Sequence, residues 1–179
     1  MGDTAHIEVE LRAKVDAVLL ERLTLAPHTT VAEHDRYFRH VSDSTRSWIA
    51  RIRRADERYS LTLKSSVQFG EGAWDEVSLP LTPDRAAQLG AFLLAHGFLL
   101  EVEIAKRRTT FRYDGMEINL DDIDGLGTYL EAEILAPPGE VEEARHRIRA
   151  FFATLGIAET HIIQDGYVRL MREHVAARG

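Results

Sequence analysis

Glu8, Glu10, Arg12 and Lys14 occupy alternate positions in the first regular stretch of the chain, separated by Val9, Leu11 and Ala13 and flanked by Ile7 and Val15. A period of two marks a strand with unlike faces. Two carboxylates followed by two cations on one face can hold a hard metal ion and an anion side by side. Most such faces merely meet water, so recurrence of the pattern decides its weight.

The pattern recurs. Glu33, Asp35, Tyr37 and Arg39 alternate within 30–41, with Phe38 opposite. Arg51 and Arg53 share a face against Ala50 and Ile52. After a turn at Asp56-Glu57, Thr62 and Lys64 oppose Leu61 and Leu63, as in a hairpin. Glu76 and Ser78 oppose Val77 and Leu79. Lys106, Arg108, Thr110 and Arg112 alternate within 102–113, and Asp114-Gly115 is a hairpin turn signal. Beyond it Glu117, Asn119 and Asp121 oppose Met116, Ile118 and Leu120, and Glu131 and Glu133 oppose Leu130, Ala132 and Ile134.

Helices separate some of these strands. Asp16 is an N-cap candidate for a helix over 17–25. Thr82-Pro83 opens a helix over 83–96, which Gly97 closes. Pro137-Pro138-Gly139 leads into a helix over 140–155, closed by Gly156, and the tail over 164–176 forms a short last helix carrying Tyr167, Leu170 and Met171. The Gly70-Glu71-Gly72 stretch reads as a loop. Gly125-x-Gly127 reads as a turn, being too short for a nucleotide fingerprint. None of the eight histidines has metal-ligand spacing.

Composition narrows the classes. The chain has 179 residues, 45% of them hydrophobic and 28% charged, which suits one soluble domain over 1–179 with a real core. No apolar run nears the roughly 20 residues of a membrane span, and no signal-peptide pattern opens the chain. The absence of cysteine excludes disulfide and thiolate chemistry and agrees with a cytoplasmic protein. A net charge of −7 argues against a general nucleic-acid surface.

In a sandwich the apolar faces would meet and every charge would be solvated, leaving the amphipathic helices little to cover. The expected architecture is instead α+β: a closed eight-stranded antiparallel β-barrel, a tunnel whose charged faces line the lumen and whose apolar faces pack outward against helices. Basic and acidic members of the inner face nearly balance, as a confined site requires.

The ordered set Glu8-x-Glu10-x-Arg12-x-Lys14, Asp35-x-Tyr37-Phe38, Arg51-x-Arg53, Leu61-Thr62-Leu63-Lys64, Lys106-x-Arg108, Leu120-Asp121 and Gly125-Leu126-Gly127-Thr128-Tyr129-Leu130-Glu131-x-Glu133 resembles the CYTH superfamily, the triphosphate tunnel metalloenzymes. The likeness runs from about Ile7 to Met171 and is strongest to the class IV adenylyl cyclase and thiamine-triphosphatase branch. It implies an enzyme that binds a small triphosphate-containing molecule and uses Mg²⁺ or Mn²⁺. By position, Glu8, Glu10, Glu131 and Glu133 match metal-associated acids. Arg12, Lys14, Arg51, Arg53, Lys64, Lys106 and Arg108 match the phosphate-holding bases, with Glu76 and Asp121 in support. Three departures bear on substrate choice: Arg12 replaces a lysine, Ser78 replaces a carboxylate, and Gly166-Tyr167 replaces a Ser-Tyr element.

Hydrolysis of the terminal phosphate is the first expectation, with Lys106, assisted by Tyr37, positioning or deprotonating water if neighbouring cations depress its pKa. Conversion of ATP to cyclic AMP and pyrophosphate is the alternative, and a non-catalytic polyphosphate-binding module the third. A structural role is also open to Lys106 and Arg108, which can pair with Glu117 and Asp121 across their hairpin. The protein is expected to be a monomer or homodimer without membrane or nucleic-acid partners.

Overall fold

A computed structural model describes residues 6–16, 19, 28–43, 48–65, 73–163 and 165–177. The helix expected over 17–25 and the glycine loop at 70–72 fall largely or wholly outside the described residues. Eight strands form the barrel: β1 (Ile7–Lys14), β2 (Thr29–His40), β3 (Trp48–Ala55), β4 (Arg58–Ser65), β5 (Ala73–Leu81), β6 (Phe98–Tyr113), β7 (Met116–Ile123) and β8 (Gly127–Ala136). Their order is β5-β4-β3-β2-β6-β7-β8-β1, and an additional β1–β5 pairing closes the ring. Every pairing is antiparallel. Closure removes the exposed edges of an open sheet.

The two closing seams differ in length. β1 pairs with β8 from Ile7↔Ala136 to Lys14↔Tyr129, but with β5 only over Ile7, Glu8 and Val9. A two-residue strand absent from the sequence expectation, β9 (Ile162–Ile163), covers Arg12 and Ala13 further along the same edge.

Alternation decides which side chains face out, and the helices follow. Ile7, Val9, Leu11 and Ala13 meet Leu130, Ala132 and Ile134 beneath α2 (Val141–Thr154), which contributes Val141, Ala144, Ile148, Phe151 and Phe152. Ile148 and Phe152 are fully buried, so Phe152→Ala should cost about 3–5 kcal/mol. Phe38, Ala50 and Ile52 lie under α1 (Pro83–Ala95), whose first turn is capped by Thr82. α3 (Tyr167–Ala176) differs: it packs Tyr167 and Met171 against Leu126 and against Tyr37, Ile104, Ile123 and Tyr129, which share the strand face of the charged side chains. Among the described residues helix cover is incomplete: Leu63, Val77 and Leu79 remain exposed on the outer face of β4 and β5.

Turns follow local chemistry. Asp114 and Gly115 both take positive φ, 48° and 73°, the geometry of a tight hairpin turn matched to strand twist. β6 starts at Phe98, four residues before the sequence pattern suggests, because its first residues pair with the end of β2 through a bulge between Tyr37 and Phe38. Among the described residues no helix is long and apolar enough to cross a membrane.

Candidate active site

The inward faces enclose a cavity of about 450 Å³. All of the expected site residues line it except Lys14 and Asp121. Lys14, at the end of β1, is exposed, with its ammonium 5.9 Å from the Tyr129 ring. Asp121 is fully buried beneath the bases it holds. Arg112, on the same strand face as Lys106 and Arg108, is exposed near the β6–β7 turn.

Carboxyl oxygens of Glu8, Glu10 and Glu133 lie within 4.8 Å of one another. β1 places Glu8 and Glu10 on one face by alternation, and the register sets Glu10 opposite Glu133 on β8. Burial, with Glu10, Glu133 and Glu76 close by, pushes the Glu8 carboxyl up to about 9 although Lys64 opposes the shift. Burial, then Glu131, pushes Glu133 up to about 7. Crowded buried carboxyls that resist ionising are relieved by a dication, and an all-oxygen donor set suits Mg²⁺ or Mn²⁺. Glu131 does not join this trio. Its oxygens accept from Arg12 at 2.8 and 3.1 Å and from Arg108 at 2.8 Å.

Arg12 is enclosed. Besides Glu131 it meets Glu10 at 2.7 Å, donates to the Asp165 carbonyl, and stacks 4.7 Å from the centre of the Tyr167 ring. Only 2% of its surface is exposed. Against the effect of burial, Arg12 and Lys64 hold Glu10 below the usual carboxylate range. The residue expected among the substrate cations is thus clamped between strand acids and the start of α3.

Across the barrel the bases stand on buried acids. Arg53 grips Asp35 with two bonds of 2.6 and 2.7 Å. Arg108 grips Asp121 in the same bidentate way, at 2.7 and 2.6 Å. Lys106 donates to Asp121 at 3.0 Å and lies 3.4 Å from Glu33. The cross-hairpin pairing weighed from the sequence is therefore present at Asp121, and it leaves the same cations facing the cavity. Burial, then the neighbouring Arg108 and Arg53, lowers the Lys106 pKa. Burial, then Asp35, pushes the Tyr37 phenol up to about 12 while its hydroxyl donates to Asp35 at 3.2 Å.

Arg51 differs from these bases. It donates to Thr62 Oγ1 at 3.0 Å, and Thr62 continues through Ser78 to Glu76 in bonds of 2.7 and 3.1 Å. Its buried Nε has no partner among the described residues. Ser78, which replaces an expected carboxylate, serves as a hydroxyl link in this chain.

Other members were not assigned to the site from the sequence. Glu33 and Thr62 could have been, since they alternate with Asp35 and Lys64. Asp165 and Glu101 carry no such signal. Glu101 joins Arg39 and Arg172, each 3.4 Å away, and all three line the cavity where α3 approaches β6.

The CYTH domain model matches residues 6–167. A Methanocaldococcus jannaschii protein provisionally named an adenylate cyclase is 23% identical over 173 residues, spanning 92% of this chain and 98% of its own. A solved Pyrococcus horikoshii protein superposes with a TM-score of 0.81 at 24% identity, covering 93% of this chain and 98% of its own. A Hippeastrum protein, provisionally an adenylyl cyclase and described as having a dominant triphosphatase activity, gives 0.66 at 22% identity, with coverages of 90% and 91%. At these identities the structural likeness is one of fold. The family match across the barrel and into α3, together with the closed, charge-lined tunnel, leads to the conclusion that this chain belongs to the CYTH domain family.

Proposed function

We propose that the protein hydrolyses a triphosphate substrate with the help of a divalent metal ion. One observation carries this reading: the Glu8–Glu10–Glu133 trio shares one cavity with Arg51, Arg53, Lys64 and Arg108, and the buried Nε of Arg51 has no partner among the described residues. Pure anion binding would disfavour the carboxylates, and a metal-binding site alone would not call for the cations gathered beside them.

Glu8, Glu10 and Glu133 are the residues that would hold Mg²⁺ or Mn²⁺, whose charge when bound neutralises phosphate oxygens. Arg51, Arg53 and Arg108 offer planar donors to further phosphate oxygens, and Lys64 offers a compact charge. Asp35 and Asp121 fix two of these guanidinium groups in place, which limits reorganisation as charge develops in the transition state. Lys106, with its lowered pKa, holds the attacking water and takes its proton. Tyr37 stays protonated and acts as a donor rather than a base.

The second reading is cyclisation of ATP. Ile49 and Val168 support it, as apolar cavity-lining side chains next to the Arg51 and Tyr167 positions that suit an organic group on the triphosphate. The name of the M. jannaschii relative points the same way, and that of the Hippeastrum protein points to hydrolysis.

Product analysis tests both. Inorganic triphosphate, ATP and thiamine triphosphate are each incubated with the protein under Mg²⁺ and under Mn²⁺. Metal-dependent phosphate release, with ATP no better than inorganic triphosphate, is expected. Cyclic AMP formed as fast as ATP is consumed would replace hydrolysis with the second reading.

A further inference from the structure

Lys64 links two acidic groups inside the cavity. Its Nζ lies 2.5 Å from Glu8 Oε1 and 2.8 Å from Glu76 Oε2, and 15% of the side chain is exposed. Register accounts for the bridge: Lys64 is the direct partner of Glu76 across β4 and β5, while Glu8 lies opposite Trp74 on the other edge of β5. The ammonium thus reaches across one strand to the next. Glu8, the acid at the far end, is also a member of the carboxylate trio.

Two demands meet on Glu8. A small hard dication takes carboxylate oxygens at about 2.0–2.1 Å, and an ammonium on the same carboxylate stands only a few ångströms away. In a buried site of low effective dielectric, two such cations repel strongly. Glu76 gives the ammonium a second anchor outside the trio, so leaving Glu8 does not leave Lys64 unpaired. Arg51, bare at Nε and hydrogen-bonded towards Glu76 through Thr62 and Ser78, lies in the same cavity.

We propose that Lys64 is the resident counter-cation of the carboxylate trio, and that a divalent ion displaces it from Glu8 and so releases its charge for the anion. The inference rests on the metal site of the proposed function and adds a coupling to it. With the trio empty, Lys64 is committed to two carboxylates. With the trio filled, one commitment ends, and by reciprocity the anion that uses Lys64 must in turn tighten metal binding.

The chain contains only three lysines, Lys14, Lys64 and Lys106. Lysine labelled with ¹³C at Cε therefore gives three side-chain signals, with Lys64 identified by the signal lost in Lys64→Arg. Mg²⁺ is titrated into the whole wild-type protein in the absence of any phosphate, and its affinity is measured in parallel by calorimetry. The Lys64 signal should move in step with saturation, and the Lys14 signal should stay. In Lys64→Met, which removes the competing charge, Mg²⁺ should bind about 10-fold tighter, within the usual range of couplings between sites, once the protons released on binding, read from the buffer dependence of the calorimetric heat, are corrected for in both proteins.

Saturable Mg²⁺ binding with an unmoved Lys64 signal overturns the proposal. So does unchanged or weaker binding in a folded Lys64→Met, and so does a lack of saturable binding in the wild type. Should Lys64→Met not fold, the wild-type titration decides alone. Failure of the proposed function is separate: Lys64 that moves in a protein releasing no phosphate upholds the coupling and removes the hydrolase. Lys64 that stays fixed in an active hydrolase does the reverse.

Discussion

Arg12 and Glu131 are register partners across β1 and β8, joined inside the barrel by hydrogen bonds of 2.8 and 3.1 Å to one carboxylate oxygen. Both side chains are nearly inaccessible to water. Losing the Glu131 carboxylate removes one of the two acids that hold Arg12, with Glu10 remaining at 2.7 Å, a loss of about 1.5–3 kcal/mol. Glu131→Gln should therefore lower the unfolding free energy by roughly that amount, read from the denaturation midpoint. Arg12→Lys should not restore the wild type, since a lysine cannot hold Glu10, Glu131 and the Asp165 carbonyl with one planar group.

Glu133→Gln should behave in the opposite way. Glu133 already resists ionisation and belongs to the carboxylate trio, so the neutral amide should leave the melting temperature equal or higher. Its effect belongs in metal binding. Calorimetry with Mn²⁺ should show an affinity reduced by at least about 10-fold, the range seen when ligands or their supports are lost. Equal loss of stability in Glu131→Gln and Glu133→Gln would contradict the division of roles.

The same carboxyls give stability a pH dependence. Glu8 and Glu133 have an ordinary value of 4.5 and are pushed up to about 9 and about 7 in the fold. Between those limits the folded chain binds more protons than the unfolded one, so their contribution falls as pH rises. In EDTA the melting temperature of the wild type relative to Glu8→Gln should therefore decrease from pH 5 towards pH 9. The increase in melting temperature produced by Mn²⁺ should grow over the same range, because the ion needs the ionised carboxylates.

Lys106 and Tyr37 should separate in kinetics. Lys106→Ala removes both a cavity charge and the group whose pKa is lowered, and kcat should fall by about 10²-fold or more. Tyr37→Phe removes one donor to Asp35, which Arg53 still holds with two bonds. Its kcat should fall by less than about 10-fold, with the pH–rate profile unmoved, since general acid–base groups contribute typically 10²-fold or more.

The barrel was legible because its signal is local. Alternation at Glu8 to Arg12, Arg51 to Arg53 and Lys106 to Arg108 reports the face of each residue, and these side chains line the cavity. Position along the barrel axis was not legible. Arg12 and Lys14 are alike in type and alternation, yet one is clamped under Tyr167 and the other is exposed beside Tyr129. The docking of α3 over one and not the other separates them, and that is not written in a period of two. For the same reason Glu131 and Glu133 look equivalent, whereas the register gives the first to Arg12 and the second to Glu10. The part played by Asp165 depends wholly on where α3 begins, which is a tertiary fact.

The order in which the ring closes bears on its synthesis. β1 emerges first, yet its long seam is with β8, ending at Ala136, and its short seam is with β5. At about 5–20 residues per second on the ribosome, the first strand waits on the order of ten seconds for its main neighbour. Throughout that interval its aliphatic row, Ile7 to Ala13, has no α2 to cover it. The strands from β2 to β5 can meanwhile assemble as hairpins with nearby partners. Until β8 is available to β1 the ring cannot close, and an open sheet with unpaired edges is the state most exposed to holdases, to proteases and to other copies of itself.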